Sequence, residues 1–142
     1  RAALWAGIAA LASARHVGEV GVAIQAHIEG SGEQYGILRD YVGHGIGRKM
    51  HEGPTVFNYR TADLGPEVRP GLCLAIEPMV TAGSEATFVE PDEWTISTVD
   101  GSDGCQWEHS VAVHHEGVWV LTAPDGGLAE LAPLGVTPVP IS

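Results

Sequence analysis

The hydrophobic rhythm of the chain changes once, at Gly30-Ser31-Gly32, and that change limits the fold more than any other feature. Before it, apolar residues recur at helical spacing. Leu4, Ile8 and Leu11, with Trp5 adjoining, predict a buried Ala-rich helix within residues 2–14. The stretch follows a positive charge and ends in Ala-Ser-Ala, so it superficially resembles a secretory signal, but its periodicity favours the core helix. It is also far short of the ~20 apolar residues that cross a bilayer. Val20, Ile24 and Ile28 repeat every four residues, with Glu19 and Gln25 off the stripe, and predict a second, amphipathic helix over roughly 18–29. The glycines then supply a C-terminal stop.

After Gly32 the spacing is that of short strands and turns. Residues 37–42, 56–59, 72–80, 94–99, 105–114 and 118–122 are strand candidates, the last closing a hairpin through Glu116-Gly117. Val68-Arg69-Pro70-Gly71 marks a turn before the 72–80 run. Residues 123–142 hold four of the nine prolines and read as a loop-rich tail. Two helices followed by a series of strands predict an α+β fold rather than a parallel α/β sheet. No repeat or linker divides residues 1–142, which read as a single unit.

Composition narrows the function. With 44% hydrophobic and 18% charged residues, the 142-residue chain has material for one core and is not an acidic disordered tail. Seven Lys+Arg against eighteen Asp+Glu leave a net charge of −11, a field that repels phosphate backbones and anionic lipid. Nucleic-acid and membrane partners are therefore not expected. Two cysteines, Cys73 and Cys105, make no disulfide framework and fit a reducing compartment.

Three segments set acids or imidazoles into apolar surroundings. Residues 41–54 hold His44 between two glycines and His51 before Glu52-Gly53-Pro54; residues 74–79 hold Glu77; residues 106–110 hold Glu108. Strand alternation places Glu77 on one face with Cys73, Ala75 and Met79. A carboxylate in so apolar a run must be paired, protonated or bound to a cation, because burying a bare charge is costly. Glu108 shares its face with Gln106 and Ser110. An isolated Glu is usually solvated or salt-bridged, but two such acids are harder to neutralise when Lys49 is the only lysine beside six arginines. One imidazole and two carboxylates form a reasonable N/O set for a divalent transition metal. The spacing matches no local zinc finger or helical His-Glu-x-x-His, so such a site has to be assembled from separate strands. His16, His27, His114 and His115 read as ordinary core or surface residues.

In this order, GHGIGRKMHEGP, LAIEPMV and WEHSVAV resemble the C-terminal half of a type I methionine aminopeptidase, within the pita-bread metallopeptidase clan. The resemblance runs from the first helix to about Thr122. It implies a pita-bread half-fold with two N-terminal helices packed on a curved antiparallel sheet. It implies a cytoplasmic enzyme that hydrolyses the N-terminal methionine from nascent polypeptides. By the same resemblance His44, Glu77 and Glu108 are metal ligands, and Glu108 bridges two ions. Glu77 is also the general base, His51 donates a hydrogen bond to the scissile carbonyl, and Met50 and Trp94 line the methionine side-chain pocket. The complete family site holds two divalent ions, of cobalt, manganese, iron or zinc. Proline-specific aminopeptidases share the His-Gly-Ile-Gly motif but usually follow Glu-Pro with Gly, where Met79 stands here. A proline-specific aminopeptidase and a non-catalytic pita-bread binding module are the alternative readings.

The family fold has two similar halves, and two aspartates of the first half complete the metal site. This chain begins at Arg1 and shows no counterpart of that half. Asp92 and Asp103 have a similar spacing but lie in turn sequences, Pro-Asp-Glu-Trp and Gly-Ser-Asp-Gly, and are not read as ligands. The expectation is three of five protein ligands, one ion rather than a bridged pair, and little peptidase activity for the chain alone. A missing N-terminal half joins the peptide N-terminus as an expected partner.

Overall fold

The computed structural model describes residues 1–141. Both predicted helices form, α1 over Ala2–Leu11 and α2 over Glu19–Glu29. The stripes seen in the sequence are the buried faces: Leu4, Ile8 and Leu11 on α1, Val20, Ile24 and Ile28 on α2. The Glu19 carboxylate accepts from the amides of Arg15 and His16, at 2.8 and 2.7 Å, where the chain enters α2. It thereby satisfies backbone donors that have no helical partner.

The strands are β1 Gly36–Ile37, β2 Gly43–Gly45, β3 Glu52–Val56, β4 Cys73–Ile76, β5 Met79–Thr81, β6 Thr87–Val89, β7 Ile96–Thr98, β8 Gly104–Gln106, β9 His109–His114 and β10 Gly117–Val120. All pair antiparallel. The main sheet has the order β10-β9-β4-β2-β3, a smaller one β1-β5-β8, and β6-β7 stands as a hairpin. Leu4, Ile8 and Ile24 from the helices meet Leu74, Ile76 and Val111 from the main sheet in one buried cluster.

Two runs that read as single strands are each broken. Residues 72–80 divide at Glu77-Pro78 into β4 and β5, and residues 105–114 divide at Trp107-Glu108 into β8 and β9. The breaks face one another. In the main sheet β4 pairs with β9 as far as Ile76 opposite His109; in the smaller sheet β5 pairs with β8 from Met79 opposite Gln106. Pro78 has no N–H and cannot continue a ladder. The two strands therefore cross between sheets together, and both acids sit at the crossing. The alternation expected for Glu77 with Cys73 and Ala75 fails for a second reason: Leu74, Ala75 and Ile76 are all fully buried, as in a strand covered on both faces.

Other boundaries also differ from expectation. Residues 37–42 mostly link β1 to β2, and the 56–59 run begins where β3 ends. The tail carries a short helix, α3 (Leu128–Leu131), and a 3-10 turn (Ala132–Leu134), because Leu131 is fully buried. Beyond it, the Val139 amide donates to the Val118 carbonyl and covers the outer edge of β10.

The β6-β7 hairpin is tied at its open end by Asp100. Its carboxylate accepts from the Ser102 hydroxyl at 2.7 Å and from the amides of Ser84 and Ser102 at 2.7 and 3.0 Å. These bonds, the Ser102 hydroxyl first, hold its pKa down from 3.8 to about 2. A depressed acid contributes stability that is fully present above the unfolded value and is lost as pH falls through the folded one. Acid titration of wild type and Asp100→Asn, followed by the tryptophan emission of the hairpin, is expected to show a loss of structure between about pH 4 and 2 in wild type that is flattened in the variant. Superimposable curves would refute this.

Candidate functional site

The site starts from β2, which lies between β3 and β4. A Cβ on Gly43 would collide with the Ala75 carbonyl, and one on Gly45 with the Gly53 carbonyl. Only glycine fits on either side of His44, so the neighbouring strands close tightly around it. Its Nδ1 lies 2.9 Å from the Gly45 carbonyl oxygen. A carbonyl can only accept, so Nδ1 carries the proton and in the neutral ring Nε2 keeps its lone pair. That Nε2 stands 3.3 Å from Oε1 of Glu77.

Glu77 is 8% exposed. Its second oxygen, Oε2, accepts from Nε2 of Gln106 at 3.0 Å. Burial pushes the carboxyl pKa up and the Glu108 charge pushes it further, while His44 and the Gln106 hydrogen bond pull it down. Among the described residues no Lys or Arg forms an ion pair with it. The His51 ring stands edge-on to His44, with centroids 4.4 Å apart, and is exposed.

The pair fits a divalent ion. Two donors each ~2.1 Å from one ion stand roughly 3.0–3.4 Å apart at square or tetrahedral angles, and the observed separation is 3.3 Å. The donor types, imidazole nitrogen and carboxylate oxygen, suit the same ions. The backbone carbonyl on Nδ1 is the usual device that holds a ligating imidazole in place.

The remaining sequence candidates are placed differently. Glu108 is exposed; its charge is felt at Glu77, but among the described residues no group of three or more His, Cys, Asp or Glu closes into a metal cluster. A cleft of about 970 Å³ opens beside Glu77, with Trp94, Tyr41, Met79 and Cys105 among its walls. Trp94 is 87% exposed at its rim. Met50, 69% exposed on the turn between β2 and β3, is not among the cleft's lining residues. Asp92 is occupied in its own turn, accepting from Trp94, Thr95 and the Thr95 hydroxyl.

Sequence reasoning missed two partners. The sequence sets Gln106 on the Glu108 face and carries no sign of its bond to Glu77. Asn58 was hidden in the 56–59 run, although it is fully buried and its side chain reaches the Glu77 backbone. The available signal was a carboxamide between Phe57 and Tyr59, in a run otherwise apolar.

Residues 1–115 match the model of metallopeptidase family M24. The chain is similar to methionine aminopeptidase 1 of Bacillus subtilis, 39% identical over 84% of this chain and 47% of that protein. It is also similar to methionine aminopeptidase 1 of Mycobacterium tuberculosis, 42% identical over 86% of this chain and 47% of that one. The chain thus spans about half the length of these relatives. Among solved structures, methionine aminopeptidase from Thermotoga maritima superposes with a TM-score of 0.78 at 40% identity, covering 84% of this chain and 47% of that chain. The X-Pro aminopeptidase of the same organism shares the fold at a TM-score of 0.56 and 20% identity, over 85% of this chain and 28% of that one. Among the described residues no helix is long and apolar enough to cross a membrane.

Proposed function

The chain belongs to metallopeptidase family M24, and from that premise we propose that it is the ligand-bearing half of a methionine aminopeptidase acting in the cytosol. The observation that carries this reading is the His44–Glu77 pair, an imidazole nitrogen 3.3 Å from a buried carboxylate with no Lys or Arg ion-paired to it among the described residues. The 39–42% identity to methionine aminopeptidases, against 20% to the X-Pro aminopeptidase, supports the substrate.

His44 and Glu77 would hold a divalent ion, and Glu108, exposed in this structure, would have to turn inward to join them as a third ligand. When bound, such an ion supplies Lewis acidity that polarises an amide carbonyl and acidifies water. Glu77 is the group placed to take the proton from the attacking water: burial raises its carboxyl pKa, which makes it a stronger base than an exposed Glu. His51, exposed beside His44, donates a hydrogen bond to the scissile carbonyl oxygen. Trp94 and Met79, in the walls of the cleft beside Glu77, pack against the methionine side chain, whose thioether adapts well to an aromatic face. A first half carrying the remaining ligands is the partner this site requires, together with the N-terminus of a peptide.

The test is a peptidase assay with added Mn²⁺ or Co²⁺. The chain alone is expected to release little or no methionine from Met-Ala peptides. Fused behind the residues that precede the matched stretch in the M. tuberculosis relative, it is expected to cleave Met-Ala peptides and to leave Xaa-Pro peptides intact. Robust turnover by the isolated chain, or a preference of the fusion for Xaa-Pro, would contradict the proposal.

A further inference from the structure

Glu77 occupies a place where a sheet offers it no backbone partner. The main-sheet ladder ends at Ile76, the smaller one starts at Met79, and Pro78 has no N–H to give. The Glu77 carbonyl is nonetheless in a buried stretch, where an unpaired oxygen is costly. Asn58 supplies the donor. Its Nδ2 reaches the Glu77 carbonyl at 3.2 Å and the Tyr41 carbonyl at 3.4 Å. Two acceptors require the amino side of the carboxamide, so its orientation is determined. The other atom, Oδ1, is buried without a hydrogen-bond partner among the described residues. An orphan acceptor of this kind is costly, so Asn58 is a poor choice for the core alone.

What the carboxamide joins is informative. Tyr41 leads into β2 three residues before His44, and Glu77 carries the carboxylate that His44 meets. One side chain thus ties together the two segments that bring the pair into contact. The Asn58 backbone is itself seated on α2. A Cβ on Gly21 would come within 2.5 Å of both the Phe57 and Tyr59 carbonyl oxygens, so the helix rests directly on the peptide units flanking Asn58. The platform is the helix, and the arm is the carboxamide.

We propose that Asn58 is a positioning residue, which sets the spacing of His44 and Glu77 by clamping the Glu77 and Tyr41 carbonyls. The proposal rests on the reading of His44 and Glu77 as metal ligands, and its test separates the two. Asn58→Ala and the milder Asn58→Ser, whose hydroxyl is too short to span both carbonyls, are compared with wild type in the full chain. Leu131→Ala, a fully buried change on α3, serves as the control for lost stability alone. The first readout needs no metal: ring ¹⁵N shifts of His44, which follow the Nε2–Glu77 contact. Both Asn58 variants are expected to move the Nε2 resonance, and Leu131→Ala to leave it in place. The second readout is a Co²⁺ titration by visible absorption, in which the Asn58 variants bind about 10–100-fold more weakly, as for other outer-shell losses, and Leu131→Ala binds like wild type. An unmoved His44 resonance in a folded Asn58 variant, or an equal movement in Leu131→Ala, would overturn the proposal. A wild-type chain that binds no Co²⁺ would defeat the metal reading instead, while the ring shifts still decide the role of Asn58.

Discussion

Leu74→Ala is expected to destabilise the fold by about 2–5 kcal/mol, the range for a large-to-small change at a closed core position. Leu74 is fully buried in β4, opposite Gly45 of β2 on one side and Val111 of β9 on the other. Its neighbours are fixed by two ladders and by the helices, so the cavity has little room to collapse. Domains of this kind hold only ~5–15 kcal/mol in total, so the change removes a large share. Because β4 runs directly into Glu77, the same loss is expected to loosen the site. Urea unfolding monitored by circular dichroism measures it, with Leu128→Ala as the comparison. Leu128 is 47% exposed, and its truncation is expected to stay within about 0.5 kcal/mol. Equal midpoints for the two variants would contradict the account of the core.

The contrast between these leucines also marks what can be read without coordinates. The helices were legible because a four-residue repeat such as Val20, Ile24 and Ile28 has one physical meaning when it is flanked by polar positions. The strand break at Glu77-Pro78 was written in Pro78, but a run as apolar as residues 72–80 masks it. Its partner break at Trp107-Glu108 carries no such residue; it follows from pairing with the first. Pairing is non-local, and local spacing holds no information on it. For the same reason the chain's own chemistry pointed to His44 and Glu77 separately, whereas their meeting depends on β2 lying beside β4. Order of motifs bridged that gap by resemblance. Asn58 escaped because its task is set entirely by two distant carbonyls. Glu108 is exposed, and among the described residues no third His, Cys, Asp or Glu closes around His44 and Glu77.

His44→Ala is expected to have the largest effect on the site. The fold aims Nε2 of His44 at Glu77, with its tautomer held by the Gly45 carbonyl. Removing it leaves a buried carboxylate with Gln106 as its remaining side-chain partner. Losing an outer-shell partner costs ~10–100-fold in metal affinity, so loss of a ligand is expected to exceed about 100-fold. Glu108→Ala is expected to weaken binding less, because Glu108 faces solvent. His114→Ala removes an imidazole whose Nε2 already meets the Val139 carbonyl, and is expected to change little.

Calorimetric titration of Co²⁺ into wild type, His44→Ala and His114→Ala puts the shared grip of His44 and Glu77 to the most direct test. One ion per chain, bound tightly by wild type and His114→Ala and more than about 100-fold more weakly by His44→Ala, is the result this structure predicts. Equal affinity in wild type and His44→Ala, or a loss shared by His114→Ala, would contradict it.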